Sequence, residues 1–306
     1  FNSGYDFLKG ASPFKDVWTI KEPFIDFLQA IIFKIFGISW FSYVFHASIF
    51  NFLISVFTYI TLKYFDLSSE LSLFYSTCVA ILTYPTAGTP FSDHHTLILI
   101  FLCLYMFFFT LKSNNNILWF CIPILLGLSF FSKQTPTAYV SLMIGFFALI
   151  VLIKNREFRS LFVSFAGLIF FITIFFLYLF VFEIDFNDFL IQYILFPITI
   201  GEERSLDLTI NSFISSLLGE FKFFLVVILI IIFQLLSKKN KKRFILDQTN
   251  IFFLILIFIS LINQEIMKNQ NMIFFLLPIS FGIIHSNHKF FKNLKRKVFI
   301  FSVILL

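Results

Sequence analysis

The chain has 306 residues, of which 59% are hydrophobic and only 13% charged, with a mean hydropathy of +0.92. That balance excludes an ordinary soluble domain and predicts an all-α polytopic membrane protein. The net charge of +6 gathers in short juxtamembrane runs without interleaved aromatic stacking platforms, which excludes a nucleic-acid partner and favours membrane lipids of an anionic leaflet.

The chain opens at Phe1 without an initiator Met or a signal sequence, so it reads as a piece of a longer protein. Residues Gly10 to Pro23 are polar and turn-rich. From Pro23 to Phe36 the polar Asp26, Gln29 and Lys34 follow Glu22 at helical spacing, while Phe24, Ile25, Phe27, Leu28, Ile31, Ile32 and Ile35 fill the other face. With Pro23 in the first turn, the segment predicts a short helix lying in the membrane interface. Residues 1–39 are therefore expected to form one external loop with an interfacial helix, and residues 40–306 a single transmembrane bundle.

Nine apolar runs follow, approximately Trp40 to Leu62, Leu71 to Tyr84, Thr96 to Leu111, Ile117 to Phe131, Pro136 to Ile153, Leu161 to Phe182, Phe221 to Leu236, Ile251 to Ile262 and Met272 to Ile284, with a tenth begun at Val298. The expectation is nine to ten transmembrane helices. Their alternating loops can be tested by charge. Lys63, Lys112, the group Lys154, Arg156 and Arg159, and the basic runs at 238–243 and 289–297 share one side, whereas most acidic residues lie on the other. The basic side is then cytoplasmic, and residues 1–39, the segment before Thr96 and the long acidic loop from Glu183 to Glu220 are extracytoplasmic. A last external hairpin runs from Asn263-Gln264-Glu265 to Lys268-Asn269-Gln270-Asn271.

The richest chemistry stands at the mouth of the third run, in Pro90-Phe91-Ser92-Asp93-His94-His95. An apolar helix gains nothing from three titratable groups there, so they are a functional-site hypothesis by default. Asp93 could act as a base, a metal ligand or a helix cap. His94 and His95 are neighbours about 100° apart on a helix, so at most one faces a given ion or substrate. Lys21 and Lys133, on separate external loops, suit contacts to an anionic phosphate, with snorkelling to the interface as the plain alternative. Glu22 suits a carboxylate or metal ligand, though a helix start also favours an acid. His46, Asn51 and Gln234, inside apolar runs, are expected to hydrogen-bond in the bundle interior. The free cysteines Cys78, Cys103 and Cys121 show neither disulfide nor zinc spacing.

Several segments together form a recognisable pattern. Tyr5-Asp6-Phe7-Leu8-Lys9-Gly10, then Pro13-Phe14-Lys15-Asp16, then Lys21-Glu22-Pro23 with a helix ending Phe36-Gly37, resembles the first external loop of the polyprenyl-phosphate-dependent GT-C glycosyltransferases. Ser92-Asp93 opening a span and Gly127-Leu128-Ser129-Phe130-Phe131-Ser132-Lys133 resemble later segments of that family, in the branch near bacterial protein mannosyltransferases and lipid A aminoarabinose transferases. The resemblance implies a membrane glycosyltransferase in a bacterial cytoplasmic (inner) membrane with an extracytoplasmic active face. It would move a sugar from a polyprenyl-phosphate donor to a lipid-linked glycan or protein acceptor. The family's catalytic aspartate lies early in the first loop and is expected upstream of residue 1. Within the chain, Asp93, Asp16 and His94 are the catalytic candidates, Lys21, Lys133 and, by resemblance, Lys268 the phosphate contacts, and Glu22 and His95 the candidate metal or acceptor ligands. No cofactor is specified beyond the option of a divalent metal ion. A multi-pass transporter or lipid flippase is the rival. It would place its polar groups near the midplane of repeated halves, whereas here no repeat is visible and the charges cluster at one interface.

Overall fold

The computed structural model describes residues 1–85, 87–113, 115–205, 209–236, 244–267 and 272–286, and among them the chain is helical with no extended strand. It divides into two compact units, one of Phe1–Ile54 with Thr83–Leu206 and the other of Ser55–Leu82 with Asp207–Leu306. The first carries helices α1 (Asn2–Leu8), α2 (Pro23–Phe36), most of α3 (Trp40–Tyr64), α5 (Ser92–Ser113), α6 (Asn116–Ser132), α7 (Gln134–Lys154), α8 (Phe158–Val181), α9 (Phe186–Phe189) and α10 (Phe196–Ser205). The second carries most of α4 (Ser69–Thr83), α11 (Ile210–Leu218), α12 (Lys222–Leu236), α13 (Phe244–Met267) and α14 (Leu276–Ser286).

Helices appear at all nine expected places, but among the described residues five are long and apolar enough to cross a membrane: Trp40–Tyr64, Ser92–Leu111, Gln134–Lys154, Phe158–Val181 and Thr249–Ile266. A sixth is gained if α11 and α12, bent by 89°, count as one broken span. Among the described residues the expected nine to ten spans are thus corrected to five or six. The reason is length: a 15-residue helix such as α4 reaches about 22 Å, against a hydrocarbon core of about 30 Å. The run from Val298 lies outside the described residues.

Three further differences matter. Residues Asn2–Leu8, read from sequence only as loop, form α1, and Gly4 lets it press on α2, since a Cβ there would stand 2.8 Å from Cγ of Gln29. The loop from Glu183 to Glu220 is a chain of short helices, with a π-helical turn at Leu190–Leu195 between α9 and α10. Asn263, Gln264 and Glu265, expected to open an external hairpin, are buried in the last turns of α13, and the rest of that hairpin, Lys268 to Asn271, lies outside the described residues.

Helix α2 has the expected bounds, set by Pro23 at its first turn and Gly37 at its end with φ 81°. One residue of its expected polar face turns inward. The polar Gln29 is buried with Ile25, Ala30 and Phe33, while Phe27, Ile31 and Ile35 are exposed. Around the bundle the same inversion holds: α8 shows Phe162, Ile169 and Phe180 outward. A helix beside lipid gains from apolar side chains outside and turns its hydrogen-bonding groups toward protein. In the second unit the buried Asn250 amide donates to Gln234 Oε1 at 3.0 Å, and Gln234 Nε2 donates to the Ile284 carbonyl at 3.2 Å, tying α12, α13 and α14 together.

In the first unit, α6 packs between α5 and α8. The α6–α8 seam depends on two glycines. A Cβ on Gly167 would fall 2.1 Å from the Phe120 carbonyl oxygen, and one on Gly127 would fall 2.3 Å into the Phe171 ring. The first obstacle is backbone and cannot swing aside. Gly167→Ala is therefore expected to lower stability by about 1–3 kcal/mol. Gly145→Ala on α7, where a Cβ meets nothing within 4 Å, should be neutral or slightly stabilising. Thermal unfolding of both variants in detergent micelles measures the difference, and equal midpoints would contradict the seam.

Candidate functional site

All described candidate residues fall in the first unit. The helix α6 ends at Lys133, whose backbone is extended (φ −162°, ψ 136°), and α7 begins one residue later. Ser129 fastens this break to α5: its hydroxyl donates to the Thr96 carbonyl at 3.2 Å and lies 2.8 Å from the Thr137 hydroxyl. Thr137 in turn donates to the Lys133 carbonyl at 2.9 Å. With the backbone so fixed, the Lys133 ammonium donates to Asp93 Oδ1 in the first turn of α5, and the two side chains are only 12% and 7% exposed. Two residues read separately from sequence as a phosphate contact and a catalytic carboxylate thus form one largely buried ion pair.

The first loop is locked onto the same break by two glutamines. The side-chain amide of Gln134, next to Lys133, donates to the Ile20 carbonyl at 2.8 Å and to the Tyr193 carbonyl at 2.9 Å. Gln192 accepts from the Thr19 N–H and donates to the Phe14 carbonyl, both at 2.8 Å. Beside it the Tyr193 hydroxyl donates to the Phe130 carbonyl at 2.6 Å. Gln192 and Tyr193 are adjacent, yet both are buried within the π-helical turn; such turns recur at functional sites. Phe14, Phe189, Tyr193 and Phe131 seal the joint as an edge-to-face and stacked cluster.

These clamps deliver Lys21 and Glu22. The two side chains pair at 3.0 Å, with Lys21 half exposed and the Glu22 side chain 21% exposed. Glu22 sits in the left-handed region at φ 70°, a conformation that costs a bulky residue energy and that persists where surrounding structure imposes it. Burial, and then the Glu22 carboxylate, push the Asp26 carboxyl from 3.8 up to about 7. The same two causes hold the Tyr193 phenol well above its usual value. The Glu22 carboxylate thus acts on groups from both the first loop and the long external loop.

The other sequence candidates are placed as follows. Asp16 is exposed and its Oδ2 accepts from the Ser12 N–H at 2.7 Å, a turn of the first loop. His94 is buried, edge-on to the Phe91 ring at 5.7 Å. His95 is buried with both ring nitrogens engaged, by the Phe91 carbonyl at 3.1 Å and by His46 Nε2 at 3.2 Å. Lys268 lies outside the described residues. Glu22 and His95 do not assemble a metal centre: each has the partners just given, and no group of three or more His, Cys, Asp or Glu able to hold a metal occurs among the described residues. Sequence reading missed Gln134, Gln192, Tyr193 and Asp26. The available signal was their polarity within otherwise apolar stretches.

Asp26 gives a pH prediction. A carboxyl raised from 3.8 to about 7 in the folded state binds its proton more tightly there than when unfolded, so its contribution to stability is full below pH 3.8 and is lost as pH rises to about 7. Asp26→Asn should flatten that loss, raising the unfolding midpoint at pH 8 relative to wild type and little at pH 5. A constant offset at both pH values would show that Asp26 does not titrate in this window.

Comparison with known proteins gives a family match. The chain matches the family described as dolichyl-phosphate-mannose-protein mannosyltransferase over residues 21–180, a stretch that holds Lys21, Glu22, Asp26, Asp93 and Lys133. No curated protein and no solved structure matches it. The match covers just over half of the chain, and the chain belongs to the dolichyl-phosphate-mannose-protein mannosyltransferase family of GT-C membrane glycosyltransferases.

Proposed function

We propose that the protein transfers a sugar from a polyprenyl-phosphate donor to a hydroxyl of an extracytoplasmic acceptor, a lipid-linked glycan or a protein, in a bacterial inner membrane. The observation that carries the reading is the buried Asp93–Lys133 pair at the mouth of a span, with the Lys21–Glu22 pair on the loop clamped beside it. A lipid-linked sugar presents its reactive carbon at headgroup depth next to an anionic phosphate. Cations at that depth and a carboxylate for the acceptor are what the transfer requires.

In this reaction the bond between the anomeric carbon and the phosphate oxygen breaks as the acceptor oxygen bonds to that carbon. The acceptor's proton passes to a carboxylate, and polyprenyl phosphate leaves with the electron pair. Lys133 and Lys21 hold the phosphate and stabilise the charge that develops on it. Lys133 exchanges part of its contact with Asp93 for the phosphate, which frees an Asp93 oxygen to accept the proton. His94, adjacent to Asp93 and buried, shapes the acceptor side. Asp16 already closes a turn of the first loop and is the lesser candidate; a carboxylate earlier in that loop, as the family resemblance implies, would share the base role. The charge asymmetry of the loops supports an extracytoplasmic face.

The test uses the full-length protein in liposomes with a pool of polyprenyl-phosphate sugars, following free polyprenyl phosphate. Wild type should release it. Asp93→Asn at equal folded yield should lose about a hundredfold or more of the rate. Equal release by the variant would reduce Asp93 to a structural partner of Lys133, and no release from any donor by folded wild type would favour the transporter reading.

A further inference from the structure

In the first unit, three buried side chains from three helices touch in a row. Gln29 of α2, His46 of α3 and His95 of α5 are each no more than 2% exposed. His46 Nδ1 lies 2.8 Å from the Gln29 side-chain oxygen, His46 Nε2 lies 3.2 Å from His95 Nε2, and His95 Nδ1 lies 3.1 Å from the Phe91 carbonyl. The Gln29 side-chain nitrogen has no hydrogen-bond partner among the described residues.

The row contains a contradiction that its own chemistry resolves. A carbonyl only accepts, so His95 Nδ1 carries a proton and, in the neutral ring, His95 Nε2 is an acceptor. If the Gln29 oxygen faces His46 Nδ1, that nitrogen must also carry a proton, and His46 Nε2 becomes a second acceptor. Two lone pairs would then meet at 3.2 Å.

Three remedies exist. An extra proton between the rings would place an imidazolium among buried groups, and a buried charge needs a counter-charge in contact; neither ring has a carboxylate among the partners just given. A divalent cation between them would have two neutral ligands, and no group of three ligands is formed among the described residues. Turning the Gln29 amide costs nothing in shape, because its oxygen and nitrogen are nearly the same size. The turned amide donates to His46 Nδ1, His46 Nε2 donates to His95 Nε2, and His95 Nδ1 donates to Phe91. Every nitrogen of the row is then satisfied, and the former orphan N–H is replaced by a carbonyl oxygen, for which burial is easier to bear.

We propose that Gln29, His46 and His95 form one neutral, one-directional hydrogen-bond chain that fastens α2 to α3 and α5 and so positions Lys21 and Glu22, at the start of α2, relative to Asp93 and Lys133. These are positioning residues, not catalytic ones. The chain begins seven residues along α2 from Glu22 and ends at the residue that follows His94, so both halves of the site hang from it. Gly4 of α1 presses on the Gln29 stem from outside. Only the activity arm of the test rests on the transferase reading.

Two measurements separate the possibilities. Nitrogen-15 NMR of histidine-labelled full-length protein at neutral pH should show His46 protonated at Nε2 and His95 at Nδ1. Both rings protonated at Nδ1, or either ring doubly protonated, would overturn the chain whatever the activity proves to be. Gln29→Glu then reverses the polarity, since an ionised carboxylate only accepts. A neutral chain predicts that this variant loses the His46 Nε2 proton signature and about tenfold or more in kcat, with little change in donor KM, because a site displaced by an ångström loses rate. A charged histidine pair predicts the reverse: the carboxylate would strengthen it, and retained kcat would overturn the proposal. Should wild type show no transferase activity, the tautomer arm still decides.

Discussion

A lysine and an aspartate that meet away from water set the geometry of the first unit. Taking two charges out of water costs several kcal/mol per ion, and only close pairing with good geometry recovers it. Asp93 and Lys133 are therefore bound to find each other, which forces the mouth of α5 against the break between α6 and α7. Ser129 and Thr137 hold the backbone of that break, so the ammonium has one direction to point. Gln134, the next residue, then carries the first loop, and Gln192 and Tyr193 bring the long external loop to the same place. The docked loops and the charges of the candidate site thus meet around one contact between residues 40 positions apart.

Such a pair is a poor device for stability alone, since well-packed apolar side chains of the same volume often do as well or better. Under the proposed transfer it suits a site that receives a phosphate. A cation already desolvated and held by one anion can pass to another with little reorganisation, whereas a hydrated surface lysine must first be stripped. The left-handed backbone of Glu22 belongs to the same logic, as local strain maintained by the clamps around it.

The sequence made the place of the site legible but not its wiring. Asp93, His94 and His95 stand out because titratable groups are rare in an apolar chain, and the bounds of α2 follow from Pro23 and Gly37. That Lys133 would pair with Asp93, or Gln134 with the first loop, is set by tertiary contacts that no spacing encodes. The inward turn of Gln29 was not legible for a physical reason: beside lipid a hydrogen-bonding side chain gains by turning to protein, here to His46, while Phe27, Ile31 and Ile35 face out. Apolar runs similarly overstated the spans, because hydropathy reports composition while crossing requires length, which α4 and α6 lack. Of the segments that carried the family resemblance, Lys21-Glu22-Pro23, Ser92-Asp93 and Gly127 to Lys133 lie in the stretch that the family comparison matches, whereas Tyr5 to Gly10 and Pro13 to Asp16 precede it.

The most direct measurement is a double-mutant cycle on the ion pair in reconstituted full-length protein, with kcat/KM for donor turnover determined for wild type, Asp93→Asn, Lys133→Met and the double variant. If the two side chains act as a unit on the phosphate and the acceptor proton, the double variant will be about as slow as the slower single one. Losses that multiply would mean that Asp93 and Lys133 act independently, and the buried pair would not be the centre of the site.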